Sequence, residues 1–126
     1  MKIAAPKHRL PNLLLIAGVI IYIITFSVLS AARYKAFHAS TLDLGIMTQV
    51  VWNTAHGRWF ETSIGRATNV ELIGSYLGNH VRPILALLAP LYRLWPDPRL
   101  LLILQSIALG IAAFPLHWIA QAQTKD

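Results

Sequence analysis

Long apolar runs separated by more polar segments set the pattern of this sequence. Residues 13–32 contain no charged side chain, and as a helix they would measure about 30 Å, the thickness of the hydrocarbon core of a bilayer. Residues 100–120 form a second apolar run of similar length, in which Pro115 predicts a kink near the end. Both runs are predicted to be membrane-spanning helices.

A third apolar run is shorter. Residues 81–95 are apolar except for Arg82 and Arg93, and two prolines interrupt them. As a helix they would measure about 22 Å, less than the hydrocarbon core. Arginine side chains that reach the headgroups can make up the difference. We therefore predict a short, Pro-kinked spanning helix over residues 82–95.

Residues 33–82 form the one long polar segment, and its centre has helical periodicity. Ser40 followed by Asp43 three residues later is typical of a capped helix start, and Gly57 is typical of a helix stop. The segment therefore predicts an amphipathic helix over residues 41–56.

The predicted helix has one side chain on the wrong face. At 100° per residue, apolar side chains share one broad side, and Gln49, Asn53 and His56 share the other. Asp43 falls on the apolar side, one turn before Met47. A carboxylate there either caps the amides of the first helical turn or serves chemistry. The local pattern alone favours the cap.

These elements together predict an all-α integral membrane protein with a single membrane region. An external loop at 33–82 contains the amphipathic helix, and the predicted transmembrane helices are 12–32, 82–95 and 100–120. A secretory signal peptide is the alternative for the first run, because Ser30-Ala31-Ala32 has the small residues of a cleavage site. The run is longer than the roughly 7–15 apolar residues of such peptides, which favours an uncleaved anchor.

Composition supports a membrane protein. Hydrophobic residues make up 56% of the chain and charged residues 13%, whereas a soluble domain carries about 25% charged residues. The net charge of +6 comes from basic residues that mostly flank apolar runs, which predicts contact with membrane lipids and no nucleic-acid partner. The chain has no cysteine, which excludes disulfides and cysteine-based metal sites.

Charge determines the orientation only weakly. With a cytoplasmic N-terminus, five basic residues are inside and six are outside. The inside charges are concentrated in two short segments, which favours a cytoplasmic N-terminus and an external loop over residues 33–82.

The candidate chemistry lies at the two ends of that loop. Asp43 follows the first predicted span, and His80 and Arg82 precede the second. A carboxylate near the outer membrane surface can take a proton from a hydroxyl or hold a divalent cation, and an imidazole or a guanidinium can face a phosphate. The structural alternatives are a loop-end histidine at a helix start and a lipid-headgroup anchor.

An ordered run of motifs in residues 33–120 resembles a bacterial family of predicted membrane proteins, domain of unknown function 2079. The motifs are Thr41-Leu42-Asp43-Leu44-Gly45-Ile46, Gln49, Trp52-Asn53, Gly57-Arg58, Gly78-Asn79-His80, Pro83-Ile84-Leu85, Pro90-Leu91-Tyr92, Pro96 and Leu104-Gln105.

That family looks similar to multi-span glycosyltransferases of the C-type fold, which use sugars linked to a polyprenyl phosphate. The resemblance implies that Asp43 is catalytic and activates the acceptor or helps to bind a divalent cation. It implies that His80, the second catalytic candidate, and Arg82 approach the lipid phosphate. Gln49 and Asn53, on the polar side of the helix, complete the predicted substrate-binding residues.

The chain differs from such enzymes in its length. They carry roughly eight or more spans, and three are predicted here, so we expect an N-terminal fragment of a larger protein whose partners are further membrane helices. A small non-catalytic membrane subunit or scaffold, in which Asp43 only caps a helix, is the alternative.

Overall fold

The computed structural model describes residues 9–38, 41–63, 74–78 and 80–124. These residues are helical apart from turns and one isolated β-bridge between Glu61 and Ser75, which confirms the predicted all-α class. The helices in chain order are α1 (Arg9–Lys35), α2 (Thr41–Ala55), a 3₁₀-helix (Tyr76–Gly78), α3 (Ile84–Leu94), α4 (Pro98–Ile111) and α5 (Ala113–Gln123).

The chain divides into two compact units. Unit one consists of residues 1–32 and 102–126, and unit two consists of residues 33–101. Unit one therefore contains most residues of the two longer predicted spans, 12–32 and 100–120. Unit two contains α2, the following loop and α3.

Helix α1 buries almost none of its apolar surface against protein. The most apolar 18-residue window of Pro11–Lys35 has a mean hydropathy of 2.6, and only 6% of it is buried. The core helix of a soluble protein would bury one face, because exposed apolar surface in water is unfavourable. Its 25 residues measure about 37 Å as a helix, so the exposed surface fits a bilayer in length and chemistry.

Helices α4 and α5 form a second apolar rod. Pro98–Gln123 is 26 residues long, and its most apolar 18-residue window has a mean hydropathy of 1.9 and is 11% buried. The rod is interrupted at Ala112, and Pro115 explains the position, because its ring clashes with the carbonyl three to four residues earlier, where α4 ends at Ile111. The kink predicted from Pro115 is therefore a break between two helices.

Two helices are thus long and apolar enough to cross a membrane, and the predicted third span is not confirmed. Helix α3 has 11 residues and measures about 16 Å, roughly half of the hydrocarbon core. It begins at Ile84 and ends at Leu94, inside the predicted 82–95 range, and Pro90 lies within it.

Within unit one, α1 lies close to α4 at Gly110. A Cβ added at Gly110 would lie 2.6 Å from Cγ1 of Ile23, so only a glycine allows this contact without a shift. By contrast, a Cβ added at Gly18 of α1 would meet nothing within 4 Å. Close approach at small residues is how membrane helices gain van der Waals contact, since lipid tails are as apolar as the side chains.

In unit two, α2 packs against α3. Val50 and Val51 of α2 are fully buried, and they share a core with Tyr92 of α3, which is 2% exposed. Phe60 and Tyr76 bring the loop between the two helices into the same core. Unit two is thus held by its own small apolar core, and that core fixes where α2 presents its polar side chains.

The ends of α2 and α4 follow the local sequence. Gly57 has a φ of +83° just after α2, and the N–H of Arg58 reaches back to the carbonyl of Asn53 at 2.9 Å, as in a glycine-terminated helix. The predicted cap at Ser40 lies outside the described residues. Asp97 caps α4, because its Oδ1 accepts from the N–H of Arg99 at 2.8 Å with Pro98 at the first helical position.

Gly110 provides a test of the packing in unit one. We expect Gly110→Leu to lower the melting temperature of the detergent-solubilised protein, because the side chain would overlap Ile23. Gly18→Leu is the matched control, since space is open there, and it should melt like the wild type. Equal melting temperatures for both variants would contradict the close approach.

Asp97 provides a test of the cap. The Arg99 side chain donates to the Asp97 carboxylate and lowers its pKa below the usual range. A lowered pKa in the folded state adds stability above pH about 4, and this stability is lost as the pH falls through the folded-state pKa.

We expect Asp97→Ala to cost about 1 kcal/mol in the free energy of unfolding at neutral pH. Asp97→Asn should keep most of the cap but lose the acid-dependent part. Thermal unfolding between pH 7 and pH 2.5 measures both, and an acid dependence of the Asn variant equal to that of the wild type would count against the ion pair.

Candidate functional site

Asn53 joins the end of α2 to the loop that follows. Its side chain is buried, its Nδ2 donates to the carbonyl of Glu61 at 2.8 Å, and its Oδ1 accepts from Nη2 of Arg58. Arg58 is also 3.7 Å from the Glu61 carboxylate. The amide therefore fixes the path of the chain from Gly57 onwards, and both of its polar atoms are engaged.

Gln49, one turn earlier on the same side of α2, binds the loop further along. Its Nε2 donates to Oγ of Ser63 at 2.9 Å, and its Oε1 lies 3.2 Å from both Oγ1 of Thr62 and the N–H of Ser63. Together Gln49 and Asn53 hold residues 61–63 along the polar side of α2. Their predicted role in binding a substrate stays a prediction, and the structure adds a structural role for each.

Thr54 explains why a polar residue lies on the apolar side of α2. Its hydroxyl donates to the carbonyl of Val50 at 2.8 Å and accepts from the N–H of Phe60 at 3.0 Å. Phe60 has a φ of +55°, which is uncommon for a bulky residue, and its ring is buried in the core of unit two. The Thr54 hydroxyl thus supports a strained turn that directs Phe60 inward.

Asp43 lies in the first turn of α2, and its side chain is exposed. The ion pairs within 4.0 Å among the described residues are Arg58–Glu61 and Arg99–Asp97, so neither His80 nor Arg82 pairs with Asp43. The positive end of the helix dipole stabilises a carboxylate in the first turn. The apolar face on which the sequence places Asp43 therefore does not cover it, since the residue is exposed.

His80 and Arg82 lie in the irregular stretch before α3, and both are exposed. The backbone of His80 is tied to the 3₁₀-helix, since its N–H donates to the carbonyl of Tyr76 at 3.0 Å, and its ring centroid lies 5.7 Å from that of Tyr76. The carbonyl of Arg82 accepts from the N–H of Leu85 at 3.2 Å. The backbones of both residues are therefore anchored while their side chains are accessible.

An aromatic and cationic cluster at the end of α2 was not predicted. The rings of Trp52 and His56 stack with centroids 4.0 Å apart, and the guanidinium carbon of Arg58 lies 5.3 Å from the Trp52 centroid. Nδ1 of His56 donates to the carbonyl of Trp52 at 2.7 Å. The spacing of Trp52 and His56, four residues apart on a helix, is the signal that could have indicated the contact.

The donor set was compared with the needs of a divalent cation, which prefers several oxygen ligands. Among the described residues, no three His, Asp or Glu side chains come together. Asp43 therefore has no set of protein ligands around it in the part of the chain that the structure describes.

One comparison with known proteins gives a match. The family model of "Predicted membrane protein (DUF2079)" covers residues 33–126, so it starts at the first residue of unit two and extends through α5. No curated protein and no solved structure matches the chain. The implied relation to glycosyltransferases has no counterpart among these findings. The match spans well over half of the 126 residues, and the chain therefore belongs to the DUF2079 family of predicted membrane proteins.

Proposed function

We propose that this chain is the N-terminal part of a membrane glycosyltransferase that uses a sugar linked to a polyprenyl phosphate. In this proposal the N-terminus is cytoplasmic, the membrane is the bacterial cytoplasmic membrane, and residues 33–82 are external. The observation that carries the proposal is the exposed Asp43 carboxylate, which has no ion-pair partner among the described residues and lies on a helix whose two amide side chains, Gln49 and Asn53, bind the following loop.

Asp43 would act as the general base. The acceptor hydroxyl oxygen forms a bond to the anomeric carbon of the sugar while the bond from that carbon to the phosphate oxygen breaks. The acceptor proton passes to the Asp43 carboxylate, and the polyprenyl phosphate leaves as an anion. A positioned base of this kind contributes about 10²–10⁴ to a rate.

His80 and Arg82 would face the departing phosphate. Both side chains are exposed on an anchored backbone, so they can reach a ligand without competing for a protein partner within the described residues. A guanidinium and an imidazolium donate charge-assisted hydrogen bonds to phosphate oxygens.

A non-catalytic membrane subunit is the second candidate. The amides of Gln49 and Asn53, which the enzyme proposal assigns to the substrate, are both engaged in holding the loop 61–63. In this alternative, unit two is a small folded module that displays a surface, and Asp43 only stabilises the start of α2.

The two candidates differ in what Asp43 does. In membranes that contain a full-length protein of the family with this N-terminal sequence and a polyprenyl-phosphate-linked radiolabelled hexose, we expect Asp43→Asn to lower sugar transfer by about 10²-fold or more. Binding of polyprenyl phosphate, measured by native mass spectrometry, should be unchanged in this variant. Glu61→Gln is the matched control, because Glu61 is a second carboxylate of unit two that pairs with Arg58.

Arg82→Ala should weaken the binding of polyprenyl phosphate by about 10-fold, the equivalent of one charge-assisted hydrogen bond. Wild-type transfer in Asp43→Asn would remove the general base from the proposal. Absence of both transfer and polyprenyl phosphate binding in the wild-type full-length protein would favour the subunit.

The amide contacts give a separate prediction. We expect Asn53→Ala to lower the free energy of unfolding by about 1–3 kcal/mol, because it leaves the part-buried carbonyl of Glu61 without its donor. Gln105→Ala, at an exposed position of α4, should have little effect on stability. An Asn53→Ala protein that unfolds like the wild type but no longer binds polyprenyl phosphate would show a binding role instead.

A further inference from the structure

Helix α3 has two faces of the same apolar character but opposite exposure. Leu85, Ala89 and Tyr92 are buried in unit two. On the other side, Ile84, Leu87, Leu91 and Leu94 are 64%, 72%, 44% and 85% exposed. Their spacing of three, four and three residues places them in one stripe along the helix. We call these four residues the α3 stripe.

We propose that the α3 stripe lies in the headgroup and upper acyl region of an anionic bilayer, so that α3 rests along the membrane surface and does not cross it. The proposal rests on α3 itself and is independent of the glycosyltransferase. It replaces the spanning helix that the sequence predicts over residues 82–95.

The first argument is length. Helix α3 measures about 16 Å, whereas a spanning helix needs about 30 Å. Helix α3 also buries one face against α2, where Val50 and Val51 contribute to the shared core, and leaves the opposite apolar side exposed. An exposed apolar face of this kind can be buried about 5–10 Å into the boundary between headgroups and acyl chains.

The second argument is the position of α3 in the chain. Only residues 95–97 separate α3 from Pro98–Gln123, a helix long and apolar enough to span a membrane. A connection this short reaches at most about 14 Å. Leu94 therefore cannot lie far from the membrane face at which the spanning helix begins. The bilayer is therefore the apolar phase nearest to the α3 stripe, and burial of the stripe in it is favourable.

The third argument is the chemistry at the end of the stripe. Arg93 lies in the last turn of α3, and Trp95, which is 42% exposed, follows it. Residues 81–96 contain no acidic side chain. Tryptophan is enriched at headgroup level, and each arginine near an anionic lipid surface is worth about 1 kcal/mol. The combination of apolar stripe, arginine and indole matches an anionic lipid surface.

Spin labels can test the proposal directly, because the chain has no cysteine. Ile84, Leu87, Leu91 and Leu94 are replaced by cysteine one at a time, labelled with a nitroxide, and reconstituted in vesicles of three parts phosphatidylcholine to one part phosphatidylglycerol. Depth is measured from collisions with oxygen and with a nickel chelate. Gly45→Cys on α2 is the reference position, because a Cβ there meets nothing within 4 Å.

We expect all four labels at one shallow depth, about 5–10 Å below the phosphates, and deeper than the label at position 45. A spanning α3 would instead give a steady change in depth of about 15 Å from position 84 to position 94, and this would overturn the proposal. Labels shielded from both collision partners would show that protein covers the stripe. Labels no deeper than position 45 would show that the stripe is exposed to water. Either result would also overturn it.

Discussion

Contact between apolar side chains and lipid, in place of contact with a protein core, is the interaction on which this structure depends. Helix α1 and the α4–α5 rod bury few of their apolar side chains fully against protein. In water that surface would be strongly unfavourable, whereas in hydrocarbon it is at no disadvantage. The backbone of each rod satisfies its own hydrogen bonds, which is the condition for crossing a bilayer.

Unit two is stabilised in a different way, because it has few residues with which to maintain a fold. Its apolar core is small, centred on Val50, Val51 and Tyr92. Side-chain amides add contacts that the small core does not provide, since Gln49 and Asn53 bind the loop 61–63 to α2. The result is a defined surface on which Asp43, His80 and Arg82 are all exposed. Rigid support beneath exposed polar groups is what a binding site needs, for a sugar donor or for a protein partner alike.

Local signals in the sequence predicted the parts of the fold that depend on local chemistry. Charge-free runs indicated α1 and the α4–α5 rod, Gly57 indicated the end of α2, and Pro115 indicated a break in the second rod. Helix α3 was harder, because an apolar run of 15 residues fits either a short span or a helix that packs on one face. Only its packing against α2 distinguishes the two faces.

The candidate site was less accessible to sequence reasoning for a similar reason. The partners of Gln49 and Asn53 lie 8 to 14 residues away, in a loop without periodicity. No pattern on α2 distinguishes an amide that binds the loop from one that binds a ligand. The family model covers residues 33–126, which include all of unit two. The description of the family assigns no role to Asp43.

The most direct test of this account is which side of the membrane two positions occupy. Ala36 lies just after α1 and Thr124 just after α5, and both are exposed. A membrane-impermeant maleimide is applied to intact cells that carry Ala36→Cys or Thr124→Cys, and then to permeabilised cells. A single crossing between the two positions predicts that only one of them is labelled before permeabilisation and both afterwards. Labelling of both cysteines in intact cells would mean that α3 crosses as well, or that no helix between the two positions crosses. Either result would contradict the account.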